Sequence, residues 1–192
     1  ITDWDAYNEK LRKLMGYDDQ LMRRLSDTAR QNPKRVVFPE ANTDNMLRAA
    51  VNAHQEGICT PVLLGNEEMI EKRANRLGIN IDGIEIINLR HDREADRRAK
   101  FAAKFARKLE REGMTYPAAL ELMFDRNYFG MMLVECGEAD AMIAGTYSGN
   151  LRPTEIAKEV IGIRPTYNHF ASMHILSLIH ISRAHETSQD LV

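Results

Sequence analysis

Cysteine is scarce in this chain. There are two in 192 residues, Cys59 and Cys136, far apart and in no metal-ligand spacing. That excludes a disulfide-stapled scaffold and makes reduced thiols in a cytoplasmic protein the default reading. Long apolar runs are lacking too. None approaches the roughly 20 residues that a membrane helix needs, so no membrane partner is expected. Neither sign of charge dominates: 26 Lys and Arg stand against 28 Asp and Glu, a formal net charge of -2. Such a balance gives no reason to expect nucleic acid as a partner. No GxGxxG follows a strand, and there is no Walker loop and no HExxH. No histidine pair sits at ligand spacing with a carboxylate, so no metal site is expected. His169 and His174 read as structural, and Ser148 has no nearby base that would make it a nucleophile. The first residues, ITDWDAYNEKLRK, are amphipathic and charged, unlike a secretory signal.

What is present is ordinary for a globular protein, 44% hydrophobic and 28% charged. The informative stretch is residues 114–145. Ala118, Leu122, Phe129, Met132 and Leu133 recur at helical spacing and predict two short helices. Gly137 falls where a left-handed cap would end the second. Ala139-Asp140-Ala141-Met142-Ile143-Ala144-Gly145 is almost wholly apolar, as a parallel strand covered on both faces is. Ligands of open α/β sheets bind beyond the carboxyl ends of such strands. Residues 145–153 fall there, which makes them the candidate anion or cofactor pocket.

The rest of the chain supports that frame. Residues 1–31 predict two helices. The first carries a stripe of Trp4, Tyr7, Leu11 and Leu14 and ends at Gly16. The second is capped by Asp18, with Leu21, Met22 and Leu25 turned inward. Lys34-Arg35-Val36-Val37-Phe38 is a strand closed by Pro39. Asp44 caps a helix carrying Met46, Leu47, Ala50 and Val51. A second strand runs from Thr60 to Gly65. Asn66 then caps a helix ending at Gly78, and a third strand spans residues 84–87. This alternation predicts βαβ units with a mostly parallel sheet and right-handed crossovers. Asp92 caps a long helix to Arg111, with Ala95, Ala99, Ala102, Ala106 and Leu109 inward and Phe101 and Phe105 at the margins. Its many arginines and lysines read either as an anion-binding flank or as a solvated face balanced by Glu94, Glu110 and Glu112. Pro153 opens a last helix to Ile161, and residues 170–176 predict a further strand.

The residues by themselves do not name a substrate, but they match a family. RVVFPEA followed by NMLRAA, then PVLLGN, then GMT…YFGMM…GEADAMIAG resembles the phosphate acetyltransferase (phosphotransacetylase) family. The match covers residues 31–176, the first of two α/β domains. The resemblance implies a three-layer αβα fold, with acetyl-CoA and phosphate bound in the cleft between the domains. ITDWDAYNEKLRKLMG, AKEVIGIRP and HFASMHIL resemble a particular branch. This is the phosphotransacetylase-like C-terminal domain of bacterial NADP-dependent malic enzymes. In that branch the domain is implied to bind acetyl-CoA as a regulator and to support a homo-oligomer. NADP and a divalent metal would belong to the catalytic domains of the parent enzyme, so no cofactor is expected in this segment.

The resemblance implies three regions: a helical connector (1–31), a partial phosphotransacetylase-like domain (32–176) and a tail (177–192). The tail, SLIHISRAHETSQDLV, has no counterpart in the family and resembles a translated sequencing adapter; a variable C-terminus is the alternative. Ser148 and Arg152 are the implied acetyl-CoA or phosphate contacts. Arg152 aligns only across a gap of three residues. Without the gap Glu155 takes its place, and a glutamate would repel an anion. The family's catalytic residues lie in the second domain and have no matching positions here. Three functions follow as expectations: a malic enzyme's regulatory domain, a stand-alone phosphate acetyltransferase, or a partial domain inactive by itself.

Overall fold

A computed structural model describes residues 17–145, 149 and 151–163, with side chains from Arg24 onward. The first expected helix, the strand at 170–176, both histidines His169 and His174, and the tail lie outside the described residues.

Four parallel strands form the sheet: β1 (Lys34–Phe38), β2 (Cys59–Leu64), β3 (Glu85–Ile87) and β4 (Ala141–Met142). Their spatial order is β3-β2-β1-β4. The chain thus steps outward from β1 to β3, then returns to the far side of β1. Right-handed crossovers in opposite directions must place their helices on opposite faces of the sheet. That is observed. On one face, α2 (Asp44–Gln55) and α3 (Glu67–Leu77) bury Met46, Leu47, Ala50, Val51, Ile70 and Ala74 against Val36, Phe38 and Leu63. On the other, α4 (Ala95–Lys108), α5 (Tyr116–Leu122), α6 (Arg126–Glu135) and α7 (Leu151–Val160) cover Val37, Val62, Leu64 and Ile87. Phe101, Phe105, Phe129, Met132 and Leu133 are the large side chains of that layer. The outcome is the expected three-layer α/β architecture, preceded by α1 (Tyr17–Gln31).

Several local signals act as the residue types suggest. Asn66 accepts a hydrogen bond from the Met69 amide at 3.0 Å and starts α3. Gly78 ends that helix at φ 65°, a left-handed conformation costly for a residue with a Cβ. Gly130 has a different role. A Cβ there would lie 2.6 Å from Met142 Sδ, 3.3 Å from Val37 Cγ1 and 3.4 Å from Leu64 Cδ1. Its bare backbone lets α6 sit close against β1, β2 and β4.

Other expectations are corrected. Leu25 is 46% exposed rather than inward. Asp44 does not cap α2. Thr43 holds the N-cap position, and Asp44 pairs with Arg73 (2.5 Å) and Arg76 (3.0 Å) of α3. The turn before α4 is capped by His91 Nδ1, not Asp92, and α4 proper is shorter than predicted, with 3₁₀ turns at Asp92–Glu94 and Glu110–Glu112. Its buried stripe is Arg98, Phe101, Ala102 and Phe105, while Ala95 is exposed. Burying two phenylalanine rings removes far more apolar area from water than burying alanines, so the rings set the rotation of the helix. In α5 the buried residue is Ala119, and Ala118 is exposed. The fourth strand is only two residues long, and Ile143 beside it is 51% exposed, so it is not covered on both faces.

Four cations on the outer face of α4 are paired within the fold. Arg97 reaches Glu94 (2.8 Å) and Glu138 (3.2 Å), and Lys100 reaches Glu138 (3.3 Å). Lys104 and Lys108 share Glu135 at 3.6 Å. Lys104 also donates to the Glu135 carbonyl, and Lys108 to the Val160 and Ile161 carbonyls. These cations sit at the negative C-terminal ends of α6 and α7. The counter-charges these cations meet are Glu94, Glu135 and Glu138 rather than Glu110 and Glu112.

Candidate functional site at the carboxyl edge of the sheet

The reversal of strand order occurs between β1 and β4, and open α/β sheets bind ligands beyond the carboxyl ends of strands at such a point. Parallel strands with helical returns bring strand ends and helix N-termini to this one edge. The loop after β1 contributes Glu40 and Ala41, both buried. The Glu40 carbonyl accepts from the Thr43 amide and hydroxyl, each at 3.0 Å, which tightens the loop before α2. The segment after β4 supplies Ile143, Ala144 and Gly145, and α7 begins at Leu151.

Arg152 lies in the first turn of α7, not in a turn ahead of it, and is largely exposed. Its guanidinium donates to Asp125 Oδ2 at 3.0 Å. The other oxygen of Asp125 accepts from the Asn127 amide at 2.8 Å and caps α6. One carboxylate thus fixes the start of α6 and the direction of Arg152. Its hydrogen bond and charge push the Arg152 pKa up. A guanidinium offers five N–H donors, so this contact leaves others for a ligand oxygen. One turn deeper, the Tyr128 hydroxyl donates to Glu159 Oε2 at 2.7 Å. Burial, then that bond and the Glu159 charge, push Tyr128 up to about 12. The structure therefore joins Arg152 to α6, while Ser148 lies outside the described residues.

Asp125 was not singled out in the sequence. Its signal was the Asp two residues before Asn127 at the start of a helix, which reads as a cap and says nothing of Arg152. Further along the same edge, Gly65, Asn66, Asn88, Leu89, Arg90, Phe124 and Arg126 line a cleft of about 370 Å³. Among the described residues no three His, Cys, Asp or Glu side chains converge as a metal site. No helix among them is long and apolar enough to cross a membrane. Cys59 and Cys136 are both free thiols.

A parallel sheet covered by helices on both faces is the architecture this chain shares with solved phosphotransacetylases. The family model described as phosphate acetyl/butaryl transferase matches residues 20–185, and the chain belongs to that family. Among curated proteins, it is 32% identical over 183 residues to the NADP-dependent malic enzyme of Salmonella typhimurium, covering 93% of this chain and 24% of that protein. It is 30% identical over 156 residues to the phosphate acetyltransferase of Helicobacter pylori, covering 81% of this chain and 30% of that one. The chain therefore spans about a quarter of the length of the malic enzymes it matches. The stretch it matches is their C-terminal region. Among solved structures, the EutD phosphotransacetylase from Staphylococcus aureus superposes with a TM-score of 0.68 at 28% identity. That match covers 79% of this chain and 44% of that one.

Proposed function

We propose that this chain is the phosphotransacetylase-like region of an NADP-dependent malic enzyme and binds acetyl-CoA as a regulator rather than turning it over. In this reading the parent enzyme decarboxylates malate oxidatively to pyruvate in the cytoplasm, with NADP and a divalent metal held outside this region. The region itself supports a homo-oligomer. The reach of the similarity favours this over a stand-alone phosphate acetyltransferase. It runs over 183 residues with the malic enzyme and 156 with the acetyltransferase.

The observation that carries the ligand is Arg152, in the first turn of the helix that follows β4 and held there by Asp125. A forked guanidinium suits a phosphate oxygen of CoA. Calorimetric titration of acetyl-CoA into the intact protein tests it. Arg152→Ala is expected to weaken binding about 10- to 100-fold, the range for losing a charged hydrogen bond. Unchanged affinity would remove Arg152 from the site.

A further inference from the structure

We propose that the cleft formed by Asn66, Asn88, Arg90, Phe124 and Arg126 is a second anion site, built for a phosphate group and separate from Arg152. It lies at the carboxyl ends of β2 and β3, and its lining contains two arginines and no acidic residue. Among the described residues neither Arg90 nor Arg126 has a carboxylate within ion-pair distance. Other arginines do: Arg73, Arg76, Arg93, Arg97 and Arg152 each reach one.

An exposed arginine without a partner is ordinary, but Arg126 is half-buried. Burial, then the nearby Arg90 charge, lower its pKa, and the adjacent Asp125 carboxylate only partly offsets them. The acids close by are committed elsewhere. Asp125 holds Arg152 and the α6 cap. Glu67, at the start of α3, takes Arg93 at 3.3 Å. Two like charges gathered around a cleft and only partly compensated destabilise the empty protein, and a dianion would relieve both.

The surroundings are arranged for the same charge. The side-chain carbonyl of Asn66 faces the Met69 amide and that of Asn88 faces the Arg90 amide, which leaves both amide NH₂ groups as donors. The N-terminus of α3 adds a smaller contribution of the same sign. Arg98, buried behind the cleft, makes it rigid. It donates to the carbonyls of Leu89 (2.5 Å) and His91 (2.9 Å), and its guanidinium lies 4.8 Å from the Phe124 ring centroid. It thereby ties the turn that carries Arg90 to the Phe124 wall. The cleft is large enough for a phosphate and part of the molecule that bears it.

The test is calorimetric titration of inorganic phosphate into the full chain at constant ionic strength, with chloride as the balancing anion. Titrations are made in wild type and in Arg152→Gln, which removes the other phosphate-binding arginine, and both should show saturable binding at this cleft. Arg90→Gln and Arg126→Gln should each weaken it by about tenfold or more, and the double variant should abolish it. Arg152→Gln should leave it unchanged, so the acetyl-CoA reading can fail while this one stands. The ligand-free double variant should melt at or above the wild-type temperature, which separates lost binding from lost folding. Absence of saturable binding in wild type, or equal binding by the folded double variant, would overturn the proposal. Added acetyl-CoA then identifies the source. Displacement of phosphate assigns the cleft to a phosphate of CoA itself, and simultaneous binding assigns it to another phosphorylated ligand; both outcomes support the site.

Discussion

Asp125 does two things with one carboxylate, and paired substitutions separate them. Asp125→Asn keeps a side-chain oxygen for the Asn127 amide, because asparagine caps helices about as well as aspartate. It loses the negative charge that holds Arg152 at 3.0 Å. Asp125→Ala loses both. Replacing a cap by alanine costs about 1 kcal/mol. For a chain of this size that lowers Tm by roughly 2–4 °C. The exposed ion pair with Arg152 adds little to stability, because water screens it. Urea denaturation should therefore show Asp125→Asn close to wild type and Asp125→Ala about 1 kcal/mol below it. Acetyl-CoA affinity should divide the variants differently. Both should bind several-fold more weakly, since an untethered arginine must lose rotamer freedom on binding. Equal destabilisation by the two substitutions would refute the capping assignment. Tighter acetyl-CoA binding by Asp125→Asn would show that the carboxylate competes with the ligand for Arg152 rather than aiming it.

Two further expectations concern the packing beneath the site. Gly130→Val should destabilise by about 2–3 kcal/mol in urea melts, because its methyls would press on Val37, Leu64 and Met142. Gly130→Ala should lie near neutral, since Met142 can yield and alanine's helix propensity offsets the contact by about 1 kcal/mol; equal costs for the two would show that the close approach is not the reason for the glycine. Tyr128→Phe should flatten the alkaline limb of stability. The Tyr128 pKa is raised to about 12 in the folded chain from an ordinary value of 10.0. The stabilisation is therefore complete below pH 10 and lost as pH rises toward 12, because only the unfolded chain releases the proton over that interval. Denaturation midpoints from pH 9 to 12 would reveal it, and identical limbs for wild type and variant would contradict the assignment.

Much of the fold is legible along the chain because its signals are local. The proline after Phe38, the Asn66 cap and the left-handed glycines at 78 and 137 act through hydrogen bonds and sterics within a few residues. They mark where elements stop whatever the rest of the chain does. The alternation of strands and helices then restricts the sheet to parallel pairing. The family resemblance was legible for a related reason, since it rests on contiguous blocks such as YFGMM and GEADAMIAG.

Only the tertiary structure decided what meets what. The rotation of α4, with Arg98 inside and Ala95 outside, was settled by the phenylalanine rings it packs into the core. The small size of Gly130 acquired its reason only once Val37, Leu64 and Met142 were beside it. Asp125 and Arg152 are 27 residues apart and meet because α6 and α7 begin at the same edge of the sheet. Arg90, just after β3, and Arg126, at the start of α6, belong to the same long β3-to-β4 connection and share a cleft because both fall at that edge. A sequence pattern records periodicity and capping, which depend on near neighbours. The direction of a crossover and the convergence of distant helix ends depend on packing around the whole sheet, and the charge arrangement of this site was set there.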